Sequence, residues 1–217
     1  MRLLDTIWDM QMARKSMIRP LGLVPTMGAL HEGHLSLARK ALEENASVVV
    51  SIFINPTQFG PLEDFQTYPR HVERDLALLE DMGVDNIFIP KSEEIYPAGF
   101  DTWVKVGNIA DRLEGKFRPG HFLGVATIVT KLFTTIRPDK AYFGQKDAQQ
   151  ILVIRRLNAD LNLGAKLVTI PTVREQDGLA MSSRNSRMST HERQSAVILY
   201  HSLCLAEDMY SNGERQA

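Results

Sequence analysis

The sequence predicts an α/β protein built on a doubly wound, Rossmann-like parallel sheet. Apolar runs of strand length alternate along the chain with amphipathic helical patterns, an order that implies parallel strands joined by crossover helices. Polar clusters follow three of these apolar runs, at 27–34, 55–58 and 144–147. Because sheets of this kind collect ligands beyond the carboxyl ends of their strands, we expect the three clusters to face one crevice.

Each element is justified by its own pattern. The predicted strands are short apolar runs, at 21–25, 48–54, 86–90, 140–143 and 167–170. The predicted helices carry apolar residues at helical spacing, at 34–44, 72–82, 125–136, 148–162 and 191–210. Trp103, Val104 and Val106 are expected in the core or in an edge strand.

Composition excludes several classes of function. A chain of 217 residues with 44% hydrophobic residues and a net charge of -1 buries a full core. Lysine and arginine are scattered, which argues against a nucleic-acid partner. No stretch approaches the ~18 consecutive apolar residues of a membrane span, and no signal-peptide pattern opens the chain. With Cys204 unable to form an internal disulfide, we expect a cytoplasmic protein.

The first polar cluster contains two histidines at a predicted helix start. His31, Gly33 and His34 follow the apolar run at 21–25. Unpaired N–H groups and the helix dipole favour an anion there, and residues at i and i+3 share a helix face. The spacing therefore indicates a phosphate site, although polar residues capping a helix would show the same pattern. A zinc site is disfavoured because HExxH is absent and only one cysteine is present.

A further polar segment, separate from the three clusters, lies far downstream, at 181–185. Ser182, Ser183 and Arg184 offer hydroxyl and guanidinium donors for phosphate oxygens. Such a segment alone is also typical of a solvated loop or a helix cap. Paired with the histidine motif, it points to nucleotide chemistry.

The two motifs resemble the signatures of the HxGH (HIGH-type) nucleotidyltransferase superfamily, which includes class I aminoacyl-tRNA synthetases. The matching stretches are 25–34 (PTMGALHEGH), 51–59 (SIFINPTQF), 118–122 (RPGHF), 142–147 (YFGQKD) and 181–185 (MSSRN). Within that superfamily they resemble the pantothenate synthetase (pantoate-beta-alanine ligase) family. The resemblance implies ATP-dependent condensation of pantoate with β-alanine through a pantoyl adenylate, with ATP as substrate together with Mg²⁺. It also implies a homodimer.

The resemblance implies residue roles as well. His34, His31, Lys146 and Arg184 would be catalytic, with His34 the proton donor. The implied ATP-binding residues are Met27, Gly28, Gly33, His34, Gly144, Gln145, Lys146, Asp147, Val173, Met181, Ser182, Ser183 and Arg184. Gln58, Gln150 and Asn55 would bind pantoate and β-alanine. Gln145 stands where many family members have glutamate.

Lys146 has a physical argument of its own. A cation at the start of a helix is unfavourable unless an anion joins it, so its position after the strand at 140–143 predicts a bound phosphate. Asp147 beside it is explained by helix capping alone.

A metal ligand is the least supported of these expectations. Asp75 matches an acidic position linked with magnesium in the family, but Arg74 and Leu78 occupy the places of further ligands. A solvated helix residue is the competing interpretation of Asp75. Mg²⁺ would then be held mainly by the triphosphate and water.

The resemblance also bears on domain organisation. Residues 1–174 are predicted to form the ATP- and pantoate-binding domain, and 175–217 the start of a small C-terminal lid domain that continues further in the family. This leaves two other functions open. One is a different HxGH adenylyltransferase acting on a phosphorylated acceptor, which should have a more basic acceptor pocket. The other is a nucleotide-binding domain with little turnover.

Overall fold

A six-stranded sheet forms the centre of the computed structural model, which describes residues 1–216. The strands are β1 (Arg2–Leu4), β2 (Leu21–Thr26), β3 (Ser47–Ile52), β4 (Asn86–Phe88), β5 (Lys140–Gly144) and β6 (Lys166–Ile170). All paired strands are parallel, in the order β1-β4-β3-β2-β5-β6. The predicted doubly wound parallel fold is confirmed. The edge strand β1 was not predicted, because its apolar run is only two residues long, Leu3 and Leu4.

Helices cover both faces of the sheet. They are α1 (Ile7–Ala13), α2 (Glu32–Glu44), α3 (Val72–Asp81), α4 (Ser92–Ile95), α5 (Glu114–Phe117), α6 (His121–Ile136), α7 (Ala148–Asp160), α8 (Thr190–Ala196) and α9 (Ile198–Ser211). One apolar core packs α1, α6 and α7 against the sheet, and a second packs α2 and α3 against the opposite face. Each fully buried aliphatic side chain contributes about 1.5–3 kcal/mol, so the two cores hold the strand ends in fixed positions.

The strand order reverses between β2 and β5. From β2 the chain proceeds to β3 and β4 on one side, and it later continues through β5 and β6 on the other. Connections leaving β2 and β5 therefore diverge at their carboxyl ends and open a crevice, the usual ligand position in such sheets. The polar segments after these two strands face that crevice.

Some local predictions differ from the structure. The helix predicted at 191–210 is two helices, α8 and α9, separated at Val197, whose own backbone is right-handed helical. Neither of these two helices buries a side chain. Residues 103–106 form a loop instead of an edge strand, although Val106 is buried. Across residues 1–216, no helix has both the length and the apolar character that crossing a bilayer requires.

Candidate active site

Three adjoining cavities line the crevice, and His34, Asp147 and Gln150 border all of them. The first, of about 150 Å³, combines an apolar wall with polar side chains. The second, of about 130 Å³, is lined by histidine, lysine, serine and arginine side chains. The third, of about 120 Å³, lies between Gly33, Gly144 and the segment after β6. We refer to them as the acceptor, phosphate and nucleoside cavities.

The turn after β2 is held in an unusual backbone conformation. Gly28 and Ala29 have φ of 79° and 49°, a left-handed region that an L-residue such as alanine adopts reluctantly. Asp75 at the start of α3 stabilises this turn, since its two carboxylate oxygens accept the N–H groups of Ala29 (2.7 Å) and Leu30 (2.8 Å). The turn delivers the chain to His31, the residue that caps α2.

This geometry gives Asp75 a role different from the predicted one. Asp75 is fully buried, so it is not a solvated helix residue, and both of its oxygens already accept backbone N–H groups. Among residues 1–216, no group of three or more His, Cys, Asp or Glu side chains is arranged to hold a metal ion. Asp75 thus supports the turn, and its role as a Mg²⁺ ligand stays a prediction.

The two histidines of the motif cap helix α2 and lie side by side. The ring centroids of His31 and His34 are 4.1 Å apart. His31 Nδ1 accepts the Gly33 N–H (3.1 Å), and His34 Nδ1 accepts the His31 N–H (3.4 Å). Because Nδ1 of each ring is an acceptor, the proton of the neutral ring must sit on Nε2. Each imidazole is left with an Nε2–H donor, and both rings line the phosphate cavity.

Both histidines are neutral at pH 7 in the free protein. Burial, with a smaller contribution from the Lys146 ammonium, lowers the pKa of His31 to about 4. Burial, followed by His31 and Lys146, lowers the pKa of His34 to about 3. His34 therefore acts on a ligand as a neutral hydrogen-bond donor until an anion raises its pKa.

Gly33 is required by the neighbouring imidazole. A Cβ at this position would lie 2.9 Å from Cε1 and 3.0 Å from Nδ1 of His31. A larger residue would push the ring off the Gly33 N–H. The glycine was predicted to admit an anion, and it lines the nucleoside cavity.

The serine-arginine segment, at 181–185, closes the crevice on the side opposite the two histidines. Ser183 Oγ donates to the carbonyl of Ala29 (3.1 Å), 154 residues earlier in the chain. The Met181 N–H donates to the Val173 carbonyl (3.0 Å), and Lys146 Nζ donates to the Met181 carbonyl (3.1 Å). These contacts bring the histidine motif and the serine-arginine segment to one site.

Two arginines in the phosphate cavity are held by consecutive acids. Asp64 accepts from Arg184 Nε (2.9 Å) and Nη2 (2.8 Å), and Glu63 accepts from Arg118 Nε (2.7 Å) and Nη2 (2.6 Å). Each fork-like contact fixes a guanidinium plane and uses only part of its donor capacity. Hydrogen bonds from these arginines lower the pKa of both acids.

Lys146 and Asp147 precede α7, in the short 3-10 turn Gln145–Asp147. Desolvation in the crevice, with a smaller repulsion from Arg184, lowers the pKa of Lys146, whereas Asp147 raises it. Desolvation raises the pKa of Asp147, and Lys146 partly offsets that change. A cation that is poorly solvated without a counter-anion is suited to receive a phosphate.

The acceptor cavity has an apolar wall and two amides. Its wall comes mainly from α6 and the ends of β3 and β5, with Phe53, Val125, Ile128, Val129, Leu132 and Phe143. Gln58 and Gln150 provide polar groups. Within the described part of the chain, none of the residues lining it is a lysine or an arginine. The cavity suits a small branched acid with hydroxyl groups better than a phosphorylated one.

Asn55 borders the acceptor cavity, but its amide is already engaged within the protein. Its side chain is 1% exposed. Oδ1 accepts from Thr57 and Tyr96, and Nδ2 donates to Gln58 Oε1 and the Gly124 carbonyl. These contacts hold Gln58, and the contact of Asn55 with substrate stays a prediction.

Most residues predicted for the site line one of the three cavities. The exceptions are Gly28 and Asp75, which line a separate cavity, and Gln145, which lines none of the three. Sequence reasoning missed the apolar wall from α6, whose pattern indicated only an amphipathic helix. It also missed Asp64 and Tyr68, because nothing in the loop at 60–68 marks them as neighbours of residue 184.

A doubly wound sheet with a histidine pair at the switch point and a serine-arginine segment opposite defines an HxGH-type nucleotidyltransferase. The comparisons narrow this class. The model of the pantoate-beta-alanine ligase family matches residues 2–217. The chain belongs to that family.

Individual relatives agree with this assignment. The pantothenate synthetase of Dehalococcoides mccartyi strain CBDB1 is 55% identical over 208 residues, which are 96% of this chain and 78% of the relative. A crystal structure of pantothenate synthetase from Thermus thermophilus superimposes with a TM-score of 0.94 at 49% identity, over 98% of this chain and 77% of that one. Pantoate-beta-alanine ligase from Francisella tularensis was solved as a complex with beta-gamma ATP and beta-alanine. Its structure superimposes with a TM-score of 0.89 at 42% sequence identity, over 93% of this chain and 78% of that one.

Proposed function

We propose that this chain condenses pantoate with β-alanine, with ATP converted to AMP and pyrophosphate through a pantoyl adenylate. One observation carries the proposal: the acceptor cavity, the phosphate cavity with its lysine and arginine side chains, and the nucleoside cavity meet at His34, Asp147 and Gln150. A carboxylate bound in the acceptor cavity would lie next to a triphosphate bound in the phosphate cavity.

The first step is activation of the acid. A pantoate carboxylate oxygen attacks the α-phosphorus, the new P–O bond forms, and the bond to the β-phosphate oxygen breaks to release pyrophosphate. A free carboxylate is a poor acyl donor because its leaving group would be oxide. An acyl phosphate anhydride releases AMP instead. Positioning and charge stabilisation supply most of the acceleration.

The residues of the phosphate cavity stabilise the charge of this step. His31 and His34 donate through Nε2–H, and Lys146, Ser182, Ser183 and Arg184 neutralise the triphosphate and the departing pyrophosphate. Backbone groups near Met27, Gly144, Val173 and Met181 are proposed to cradle the nucleotide. We propose that Mg²⁺ would be held by triphosphate oxygens and water, because both carboxylate oxygens of Asp75 already accept backbone N–H groups.

The second step forms the amide. The amine of β-alanine, as the free base, attacks the acyl carbon. The C–N bond forms, the C–O bond to AMP breaks, and the amine gives up one proton to water. Gln58 and Gln150 hold the pantoyl group during both steps. No covalent bond to the protein is needed.

Transfer of AMP to a phosphorylated acceptor is less compatible with the site. Such an acceptor needs cations to pair with its phosphate, and the acceptor cavity has none among its described lining residues. The homodimer and a domain boundary at residue 174 remain predictions from the resemblance, and the cytoplasmic location remains a prediction from the composition of the sequence. Size-exclusion chromatography with light scattering tests the first of these.

Isotope exchange tests the proposed reaction. We expect labelled pyrophosphate to exchange into ATP only when pantoate is present, and pantothenate to form when β-alanine is added. His34→Ala should slow exchange by about 10²-fold or more while the fold is retained. Exchange without pantoate, or none with it, would overturn the proposal. Unchanged exchange in His34→Ala would remove the role of His34.

A further inference from the structure

A hydrogen-bond network behind Gln58 carries a further inference, which rests on the proposed function. Asn55 lies between Gln58, which faces the acceptor cavity, and Tyr96, which lies outside it. The network links a residue that lines none of the three cavities of the crevice to a proposed substrate contact.

The orientation of the Asn55 amide is fixed by backbone groups. The Thr57 N–H donates to Asn55 Oδ1 (3.4 Å), and Asn55 Nδ2 donates to the Gly124 carbonyl (3.2 Å). A backbone N–H can only donate and a carbonyl can only accept. A flipped amide would therefore face a donor with a donor and an acceptor with an acceptor.

This orientation determines that of Gln58. Asn55 Nδ2 lies 3.0 Å from Gln58 Oε1 and donates to it. Gln58 Nε2 is then the group left for the cavity, where it lies 3.2 Å from Met27 Sδ at the cavity wall. A thioether is a weak acceptor, so an oxygen of a bound acid would be a better partner.

Tyr96 holds Asn55 from behind. Its hydroxyl donates to Asn55 Oδ1 (2.8 Å) and lies 3.1 Å from Thr57 Oγ1. Its ring packs edge-on against Phe100 (centroids 5.1 Å apart) and stacks on Trp103 (6.4 Å). Burial raises the pKa of Tyr96, which keeps the donor proton in place.

We propose that Tyr96 is a positioning residue for the acceptor acid. Its hydroxyl holds the Asn55 amide in the position from which Nδ2 donates to Gln58 Oε1, so that Gln58 presents its Nε2 donor, and not its Oε1 acceptor, to an oxygen of the bound hydroxy acid. The site thereby favours acids that accept a hydrogen bond at this point. It disfavours analogues that place an N–H there.

Tyr96→Phe is the direct test, because it removes the hydroxyl and keeps the ring packing. We expect the KM for pantoate to rise about 5- to 10-fold, with the KM for ATP unchanged. The matched control is Tyr142→Phe, which removes another buried hydroxyl, one bonded to Asn45 and Glu44. The control should leave the KM for pantoate at the wild-type value.

A double-mutant cycle separates positioning from structural damage. If Tyr96 acts through Gln58, Tyr96→Phe should cost nothing further in the Gln58→Ala background. Asn55→Asp supplies an independent check. It removes the donor to Gln58 Oε1, so the Gln58 amide should flip and the KM for pantoate should rise more than in Tyr96→Phe.

An unchanged KM for pantoate in Tyr96→Phe would overturn the inference, as would equal effects of Tyr96→Phe with and without Gln58. Both results require a wild-type protein that forms pantothenate. Absence of product from the wild type would instead overturn the proposed function, so the two failures are distinguishable.

Discussion

His31 and His34 show how local hydrogen bonds decide the chemistry of single residues. The spacing HxGH predicts two imidazoles near a phosphate, and the structure adds their protonation state. Each Nδ1 accepts a backbone N–H, so the neutral rings present Nε2–H. The proton donor predicted at residue 34 is therefore a neutral donor in the free protein.

The depressed pKa of His34 makes stability depend on pH. Burial lowers that pKa to about 3, whereas an unfolded histidine titrates near about 6.5. Between these values the unfolded chain binds more protons, so the free energy of unfolding falls as the pH drops below about 6.5. The slope from this group is at most about 1.4 kcal/mol per pH unit.

We expect the free energy of unfolding of His34→Gln to depend less on pH than that of the wild type, because the contribution of residue 34 is lost. Urea unfolding of the wild type and the variant at about pH 6.5 and about pH 4.5 measures the difference. Other acid-sensitive groups are common to both proteins and cancel in the comparison. An equal loss of unfolding free energy between the two pH values in both proteins would contradict the assignment of a neutral, desolvated His34.

Lys146 provides the second prediction at this scale. Lys146→Ala should reduce kcat/KM for ATP, and the reverse use of pyrophosphate, by about 10²-fold or more, because a preorganised cation is lost from the phosphate cavity. Lys140→Ala is the control, since Lys140 lies at the start of β5, the strand that precedes Lys146, and pairs with Glu44. Wild-type kinetics in both directions would reduce Lys146 to a surface residue.

Among the elements, α3 supports the turn that precedes α2. Asp75→Asn keeps one acceptor oxygen and places an NH₂ group against a backbone N–H. We expect the free energy of unfolding to fall by about 1–3 kcal/mol and the KM for ATP to rise. The Mg²⁺ concentration for half-maximal activity should not change. A shift in that concentration, measured at saturating ATP, would restore the metal-ligand interpretation.

The approach of α6 to the turn Pro56–Gln58 gives a prediction at the same scale. A Cβ on Gly124 would lie 2.4 Å from the Thr57 carbonyl oxygen and 2.6 Å from the Gln58 nitrogen. Gly124→Ala should therefore displace the turn, raise the KM for pantoate about 10-fold or more and lower stability by about 1–3 kcal/mol.

The control for Gly124→Ala is Gly60→Ala, whose Cβ would meet nothing closer than 3.6 Å. Steady-state kinetics and thermal unfolding of the two variants make the comparison. A wild-type KM for pantoate in Gly124→Ala would show that the position of Gln58 does not depend on this contact.

The elements also show how far the sequence could predict the structure. Five of the six strands and the helices α2, α3, α6 and α7 follow from apolar periodicity, because the two cores impose that periodicity on the chain. The short helices α1, α4 and α5 were not predicted. Asn55 and Asp75 could not be assigned from the sequence. Their roles depend on which backbone groups come within hydrogen-bond distance, and periodicity says nothing about such distances.

At the scale of the whole molecule, the central feature is the meeting of distant segments. Ser183 reaches the carbonyl of Ala29, and Arg184 reaches Asp64 across 120 residues of chain. The two motifs were predicted to hold one triphosphate, and their contact requires the strand order that places the ends of β2, β5 and β6 on one edge of the sheet. Family membership and the three joined cavities are consistent with that arrangement.

A crystal structure of this chain with Mg²⁺, a non-hydrolysable ATP analogue and pantoate tests the convergence most directly. We expect phosphate oxygens within about 3.2 Å of His34 Nε2, Lys146 Nζ and the hydroxyls of Ser182 and Ser183. We also expect pantoate to lie against Gln58 Nε2. A triphosphate that contacts the histidines but not the serine-arginine segment, or the reverse, would contradict the convergence of the two motifs.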